Sequence, residues 1–370
     1  MTLRRIGLAL IALAVVAGGA LAAGPRAGLL LALGIGFGLV LEGLRFGFAG
    51  PWRLMLVERD ARGLLAQLLA IALFAAVAFP LLAANPLELA PAHAPIGVGM
   101  VLGAFVFGAA MQVVMGCGSG TLVNAGSGNL IGLAALAGFV GGAFLGTLHA
   151  DFWASLGRLP LMSAQSLDGA TGGLGLTLAS LAVVAAVALV RAAPGKRRPP
   201  ARLIWAGLLL AALASVHLAV AGQSWGIVYG LGLWGAKLAA AAGADLSANA
   251  FWAMPVNAAR LDASILTDVT SLTDIGLILG AFLVMRGRAQ PGAPSAPLAL
   301  QGWLGVIVAG LVLGYSSRMA LGCNVGAYFS GIATGSLHGW AWFAAAFAGS
   351  ALGLRLRPFV LVAPRRGVAA

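Results

Sequence analysis

The chain has 370 residues, of which 61% are hydrophobic and only 9% charged, with a mean hydropathy of +1.00. Soluble domains carry about 25% charged residues, so a soluble globular protein is excluded and a polytopic membrane protein is implied. The net charge of +12 is no sign of nucleic-acid binding, because surplus Lys and Arg in membrane proteins collect in cytoplasmic loops.

Taken in order, the chain opens with Arg4 and Arg5, then an apolar run from Ile6 to Ala23. Small residues over 20–24 would suit signal-peptide cleavage. The run is long for a signal segment, however, and a retained transmembrane helix over residues 1–26 is preferred. A second helix over about 27–44 leads into a glycine and aromatic break near 45–56, containing Phe46, Gly47, Phe48, Gly50 and Pro51. Helices three and four are expected at about 63–84 and 97–115. They are joined by a loop without Lys or Arg.

A second break covers 115–129, with Cys117 and five glycines but no charge. Helices five and six follow at about 129–149 and 172–190, then a basic, Pro-rich linker at 192–202. Helix seven, about 203–221, ends in a third break at 222–237. A polar, Trp-bearing loop over roughly 243–270 precedes helix eight, about 271–285. Helix nine, about 302–319, feeds a fourth break at 321–336, and helix ten covers about 337–354.

The breaks are the informative stretches. Each interior glycine costs a helix roughly 0.5–1 kcal/mol relative to alanine, so no ordinary crossing helix would hold so many. A turn in water would need neither the length nor the uncharged small residues. The remaining reading is re-entrant backbone facing a cavity within the membrane. Breaks two and four both read Gly-Cys-x-x-Gly, at 116–120 and 322–326, and they hold both cysteines of the chain.

With the N-terminus inside, ten crossings place 17 of the 22 Lys and Arg residues in cytoplasmic segments. The exceptions are Arg26, Arg158, Lys237, Arg260 and Arg318. This positive-inside bias supports both the helix count and the direction. Breaks one and two then fall on the cytoplasmic side, and breaks three and four on the outer side. The expected fold is therefore all-α, with about ten transmembrane helices in two inverted pseudo-symmetric halves and an hourglass-shaped path between re-entrant Gly-Cys segments. The first repeat is 27–191, the second 203–357, and 358–370 is a cytoplasmic tail. In inverted repeats, substrate sites form near the midplane where broken segments meet.

Re-entrant loops that enter helix N-termini present unpaired N–H groups and a positive dipole end, which favours an anion. A neutral thiol beside them is a soft, weak donor, whereas a thiolate would repel an anion, so the thiols are expected to stay protonated. The candidate path residues are Cys117, Cys323, Gly116, Gly118, Ser119, Gly322, Asn324 and Gly47. The suggested substrate is a small anion with sulfur character.

The two Gly-Cys motifs, the Phe46-to-Pro51 stretch, Trp225 with Gly226, and Leu233 to Lys237 resemble the YeeE/YedE family of inner-membrane sulfur transporters, over nearly the whole chain. The resemblance implies thiosulfate uptake along cysteine thiols, and by motif match Cys117 and Cys323 carry over. Some members have a further cysteine in a Phe-Cys-Phe-Ala-Gly pattern, where this chain has Gly47. That departure points to a changed thiol relay or another sulfur or selenium oxyanion. Relatives often act with a small cytoplasmic sulfurtransferase-like protein, for which the basic 45–62 and 191–202 segments are a candidate dock.

Other residues have plainer readings. Gly138, Gly141, Gly142 and Gly146 suit close helix packing. Glu42, three residues from Arg45, reads as a local ion pair near a helix end. Lys237 suits either anion attraction or anchoring, and Arg318 either anion collection or packing. The four histidines show no metal-ligand spacing, and no metal, cofactor or nucleic acid is expected. No phosphate-binding loop occurs, and the only lysines are Lys196 and Lys237, so ATP hydrolysis is not expected. Acidic residues fall mostly in loops, so no proton or sodium path is evident and channel-like passage is the simplest mechanism. The expected protein is a transporter of the bacterial inner membrane with both termini cytoplasmic, not an enzyme. The rivals are a membrane thiol–disulfide oxidoreductase and a structural scaffold.

Overall fold

A computed structural model describes residues 2–288 and 298–360. Residues 289–297, between expected helices eight and nine, and most of the expected tail at 358–370 lie outside the described residues. The chain is an all-α polytopic membrane protein. Among the described residues nine stretches are long and apolar enough to cross a membrane. The tenth expected crossing is also helical, at Leu337–Val360, but it carries His338, Arg355 and Arg357 and is less apolar.

The helices are α1 (Thr2–Ala23), α2 (Pro25–Gly43), α3 (Ala49–Glu58) and α4 (Arg62–Ala84). Then come α5 (Val98–Val113), α6 (Gly118–Gly126), α7 (Leu130–Leu148), α8 (Ala150–Ser155) and α9 (Ala164–Arg191). The second half has α10 (Ala201–Ala221), α11 (Val228–Ala241), α12 (Ala250–Ala253), α13 (Pro255–Asp262), α14 (Val269–Gly287), α15 (Leu300–Met319) and α16 (Leu337–Val360). A π-helical segment, Asn324–Gly331, stands between α15 and α16. Helix six was expected from 172, but α9 starts eight residues earlier. A Ser163–Ser166 capping box starts it, and non-helical dihedrals at Asp168 and Gly169 kink it. That kink is where the sequence stops looking helical.

The packing is reciprocal. α2 lies along α14, and α10 lies along α4; α7 lies along α15, and α5 along α16. Each pair joins one helix from the chain's first half to one from its second. Glycines set how closely these pairs approach. A Cβ on Gly34 or Gly38 of α2 would strike the backbone of α14 at Thr273 and Leu277, and one on Gly276 or Gly280 would strike α2. On α7, Gly138 and Gly142 meet Ile307 and Leu311 of α15, and Gly146 meets Arg318. These three bear out the close-packing reading. Gly141 does not, since nothing lies within 4 Å of an added Cβ there.

Two polar layers mark the ends of the bundle. α2 has 19 residues, roughly 28 Å at 1.5 Å per residue, with Arg26 near its start and Glu42 near its end. At the Glu42 end, Arg288 pairs with Glu42 at 2.7 Å, Lys196 pairs with Glu58 at 2.9 Å, and Arg62 pairs with Asp60. The expected local pair with Arg45 is thus replaced by a contact from α14. Arg288 also donates to the Glu42 carbonyl. The Arg62 side-chain hydrogen bond holds the Asp60 carboxyl below the usual carboxylate range. At the opposite end, Arg26 donates to the Val220 and Ala221 carbonyls at 2.9 and 2.7 Å. There His93 meets the Thr334 carbonyl at 2.7 Å.

Candidate functional site

Each of the four breaks is a tight turn followed by a short helix. The turns share a backbone device: Arg45, Met115, Gly222 and Leu321 all have φ between 51° and 66°. After α2, α5 and α15 the next amide reaches back across the helix end, from Phe46 to Leu41, Gly116 to Met111 and Gly322 to Ser317. This is the Schellman arrangement, in which glycine is usual. Three of the four positions instead hold side chains, at a cost of order 1 kcal/mol each. Met115 and Leu321 occupy the same place in the two Gly-Cys motifs, and both are exposed.

Cys117 and Cys323 come two residues later. Both are extended in backbone and serve as the N-cap residue of the helix that follows, α6 and the π segment. Both are free thiols, 1% and 0% exposed. A Cβ built on Gly118 would sit 3.0 Å from the Cys323 sulfur, so the second thiol lies against the residue next to the first. Two helix N-termini therefore face one another across a pair of cysteines. The Ser119 hydroxyl is 3.3 Å from the Cys117 sulfur, and the buried Thr121 hydroxyl donates to the Gly118 carbonyl. Asn324, next to Cys323, is wholly buried, and neither end of its amide has a partner.

The other two breaks reach the same place. Phe48 packs edge-on to Tyr328 and Phe329 of the π segment, and Trp225 packs edge-on to Phe329. Gln67 of α4 fixes the first break. It donates to the Gly47 and Phe48 carbonyls at 2.8 and 3.3 Å and accepts from the Trp52 indole at 3.0 Å. Gln112 of α5 donates to the Ala49 carbonyl.

Two cavities lead toward the thiols. One, of about 240 Å³, is lined by Glu42, Arg45, Gly47, Met115, Gly116 and Cys117. The other, of about 170 Å³, is lined by Gly97, Trp153, Arg158, Arg318, Met319 and Leu321. They sit at opposite ends of α5, whose 16 residues span roughly 24 Å. Cys117 lines the first, while Gly322 and Cys323 follow Leu321 at the edge of the second. Of the expected path residues, Gly116, Gly118, Ser119 and Asn324 gather around the two cysteines, and Gly47 stands across the first cavity. Lys237 is used as an anchor, donating to the Leu261 and Ala263 carbonyls. Arg318 lies over the Phe251 ring at 4.8 Å and also lines the second cavity.

Sequence reasoning missed the buried polar residues Gln67 and Asp274. Gln67 stands among apolar neighbours and Asp274 at the end of the short polar run Thr270 to Thr273, and only the packing shows which way they face.

The model of a family described as Sulphur transport matches residues 44–352. The chain is 27% identical over 337 residues to the thiosulfate transporter TsuA of Spirochaeta thermophila, covering 84% of this chain and 92% of that protein. It is 25% identical over 145 residues to the probable transporter YedE of Escherichia coli, and 23% identical over 159 residues to that of Salmonella typhimurium. The matched part spans 34% and 37% of those two proteins, and 39% and 42% of this chain.

Proposed function

Because the chain belongs to the Sulphur transport family, we propose that it imports thiosulfate, or a closely related small sulfur-containing anion, across the bacterial inner membrane. The observation that carries this is the pair of buried cysteines capping two facing short helices between cavities at opposite ends of the bundle. Facing N-termini offer unpaired N–H groups and converging positive dipole ends to an anion. Thiols add weak, polarisable donors suited to sulfur. The unpartnered Asn324 amide supplies donors and an acceptor at the same depth, and a buried amide without partners is costly unless a ligand uses it.

In this reading Arg158 and Arg318 collect the anion in the outer cavity. The substrate passes Leu321, Gly322 and Cys323, then Gly118, Ser119 and Cys117, and leaves past Gly116 and Gly47. The reciprocal pairing of α2 with α14 and α10 with α4 supports the two inverted repeats, 27–191 and 203–357. The ion-pair layer holding Lys196, Arg62 and Arg288 supports cytoplasmic termini. The first-break helix and the basic linker are joined there by backbone bonds, from Ala61 to Lys196 and from Ala193 to Arg59. Together they form a basic face suited to an acidic sulfurtransferase-like protein.

Labelled thiosulfate uptake in cells lacking their own sulfur importers tests the reading. At matched expression, Cys117→Ala and Cys323→Ala are expected to lose most of the uptake, and Cys117→Ser to be intermediate. Full uptake by the double alanine variant would remove the thiols from the path. No uptake by the unaltered protein would overturn thiosulfate as the substrate.

A further inference from the structure

Among the ten Asp and Glu residues of the chain, Asp274 alone is fully buried within a crossing helix, α14, at 0% exposure. Neither of its carboxylate oxygens has a hydrogen-bond partner. The other buried acids are placed differently. Asp60 holds Arg62 in a loop, and Asp268 caps α14 by accepting from the Ser271 amide.

Asp274 faces the third break. A Cβ on Gly230, third residue of α11, would lie 3.0 Å from its Oδ2. The helix that carries it also packs on α6, which Cys117 caps: a Cβ on Gly126 of α6 would strike the Ile278 carbonyl, one turn along α14 from Asp274. The acid thus borders the proposed anion path from the side of the second repeat.

Its counterpart shows what structure alone would need there. Asp274 is the sixth residue of α14, and Gln67 is the sixth residue of α4. Each faces the break and short helix of its own half. Gln67 is neutral and fully used, bonded to Gly47, Phe48 and Trp52. An ionised carboxylate at the equivalent place, buried without a partner, carries a desolvation penalty that a neutralising cation must offset. Neither nearby hydroxyl is bonded to it. Ser271 accepts from the Trp234 indole at 2.9 Å, and Thr273 donates to Val269 and meets His217 Nε2 at 3.2 Å. One carboxylate without a ring of further oxygens is a poor site for a hard metal cation. A proton needs no such ring.

We propose that Asp274 is a proton-binding site and that the proton it holds accompanies the anion, making the protein a proton-coupled importer. This rests on the transport reading above. An ionised Asp274 and an anion beside Cys323 repel one another, and a protonated Asp274 removes the repulsion. Proton and anion binding then favour each other, and the coupling is reciprocal. The titratable and charged groups on the surrounding elements are few. α2 has Arg26 and Glu42 at its two ends, α1 has Arg4 and Arg5 at its start, and α11 has Tyr229 and Lys237. α10 has Arg202 and His217, the two short Gly-Cys helices have Cys117, Cys323 and Tyr328, and α14 itself has Asp268, paired with Arg260 of α13, then Arg286 and, at its end, Arg288. His217, bonded through Nε2 to the neighbouring Thr273, is a group able to relay the proton.

The test uses the full-length protein in proteoliposomes with labelled thiosulfate, comparing the unaltered protein with Asp274→Asn and Asp274→Glu. The unaltered protein is expected to take up several-fold more as the outside is taken from about pH 8 to about pH 6, and a protonophore should abolish accumulation. Asp274→Asn should keep downhill flux but lose accumulation and pH dependence, and Asp274→Glu should retain both. Infrared spectra of the purified proteins give a readout independent of transport: a protonated-carboxyl band present in the unaltered protein and missing from Asp274→Asn. Uptake insensitive to pH and protonophore, accumulation driven by sodium instead, unchanged pH dependence in Asp274→Asn, or no such band would each overturn the inference. Absence of thiosulfate uptake with the band present would overturn the substrate and leave the proton site standing.

Discussion

Gly47 stands in the first cavity with no atom within 4 Å of an added Cβ and a φ outside the left-handed region. A cysteine there meets neither a clash nor backbone strain, and it would face the cavity that Cys117 lines. Gly47→Cys is therefore expected to fold as the unaltered protein does and to react with a small maleimide entering from the Glu42 end. Loss of the folded protein, or a thiol that stays unlabelled, would show that the cavity is not open at that residue. The two native cysteines were legible in the sequence because the same rare motif occurs twice, each time inside a glycine-rich interruption. Asn324 was legible by its place in that motif. The left-handed backbone at Met115 and Leu321 was not, because that conformation normally announces itself by glycine. Asp274 was hidden for a different reason: a single acid at the end of a short Thr/Ser run near a helix start reads as a loop edge and says nothing about the face it occupies until the helix has neighbours.

Helix α7 shows how closely an element's glycines can differ in role. Gly142 sits against α15, where a Cβ would strike the Leu311 carbonyl, while its neighbour Gly141 faces open space. Gly142→Ala must push two long helices apart or bend one, and overpacking of this kind costs about 1–3 kcal/mol. Gly141→Ala gains helix propensity of up to about 1 kcal/mol and meets nothing. Thermal unfolding in detergent should therefore shift down for Gly142→Ala and stay level or rise for Gly141→Ala; equal shifts would contradict the α7–α15 seam. A similar argument applies to Gln67→Leu in α4. It leaves the Trp52 indole and the Gly47 and Phe48 carbonyls without their partner, at about 1–3 kcal/mol for each buried group stranded. It should also loosen the first break. Helix number and order were legible from runs of apolar residues. The short helices inside the breaks were not, least of all the π segment, because their glycines read as interruption rather than as close approach.

At the scale of the whole molecule, sidedness follows from where the charges end up. Five of the 22 Lys and Arg residues fall outside the expected cytoplasmic segments. One of them, Arg26, bonds to Val220 and Ala221, at the end where Ala90 meets Gly222. Lys196, Arg62 and Arg288 form ion pairs at the other end. Three crossing helices, α5, α7 and α9, separate the loop at Leu87 from the linker at Arg197, so an odd number of crossings puts the two residues on opposite faces. Leu87 is 99% exposed, and Arg197 is exposed as well. In a background of Cys117→Ala and Cys323→Ala, a membrane-impermeant maleimide added to intact cells should label Leu87→Cys and leave Arg197→Cys untouched until the membrane is opened. Labelling of both from outside would break the count between them, and with it the inverted relation of the two halves. The reverse pattern would keep the fold but turn the molecule over. The cavity with Arg158 and Arg318 would then open to the cytoplasm, and the proposed route would run outward.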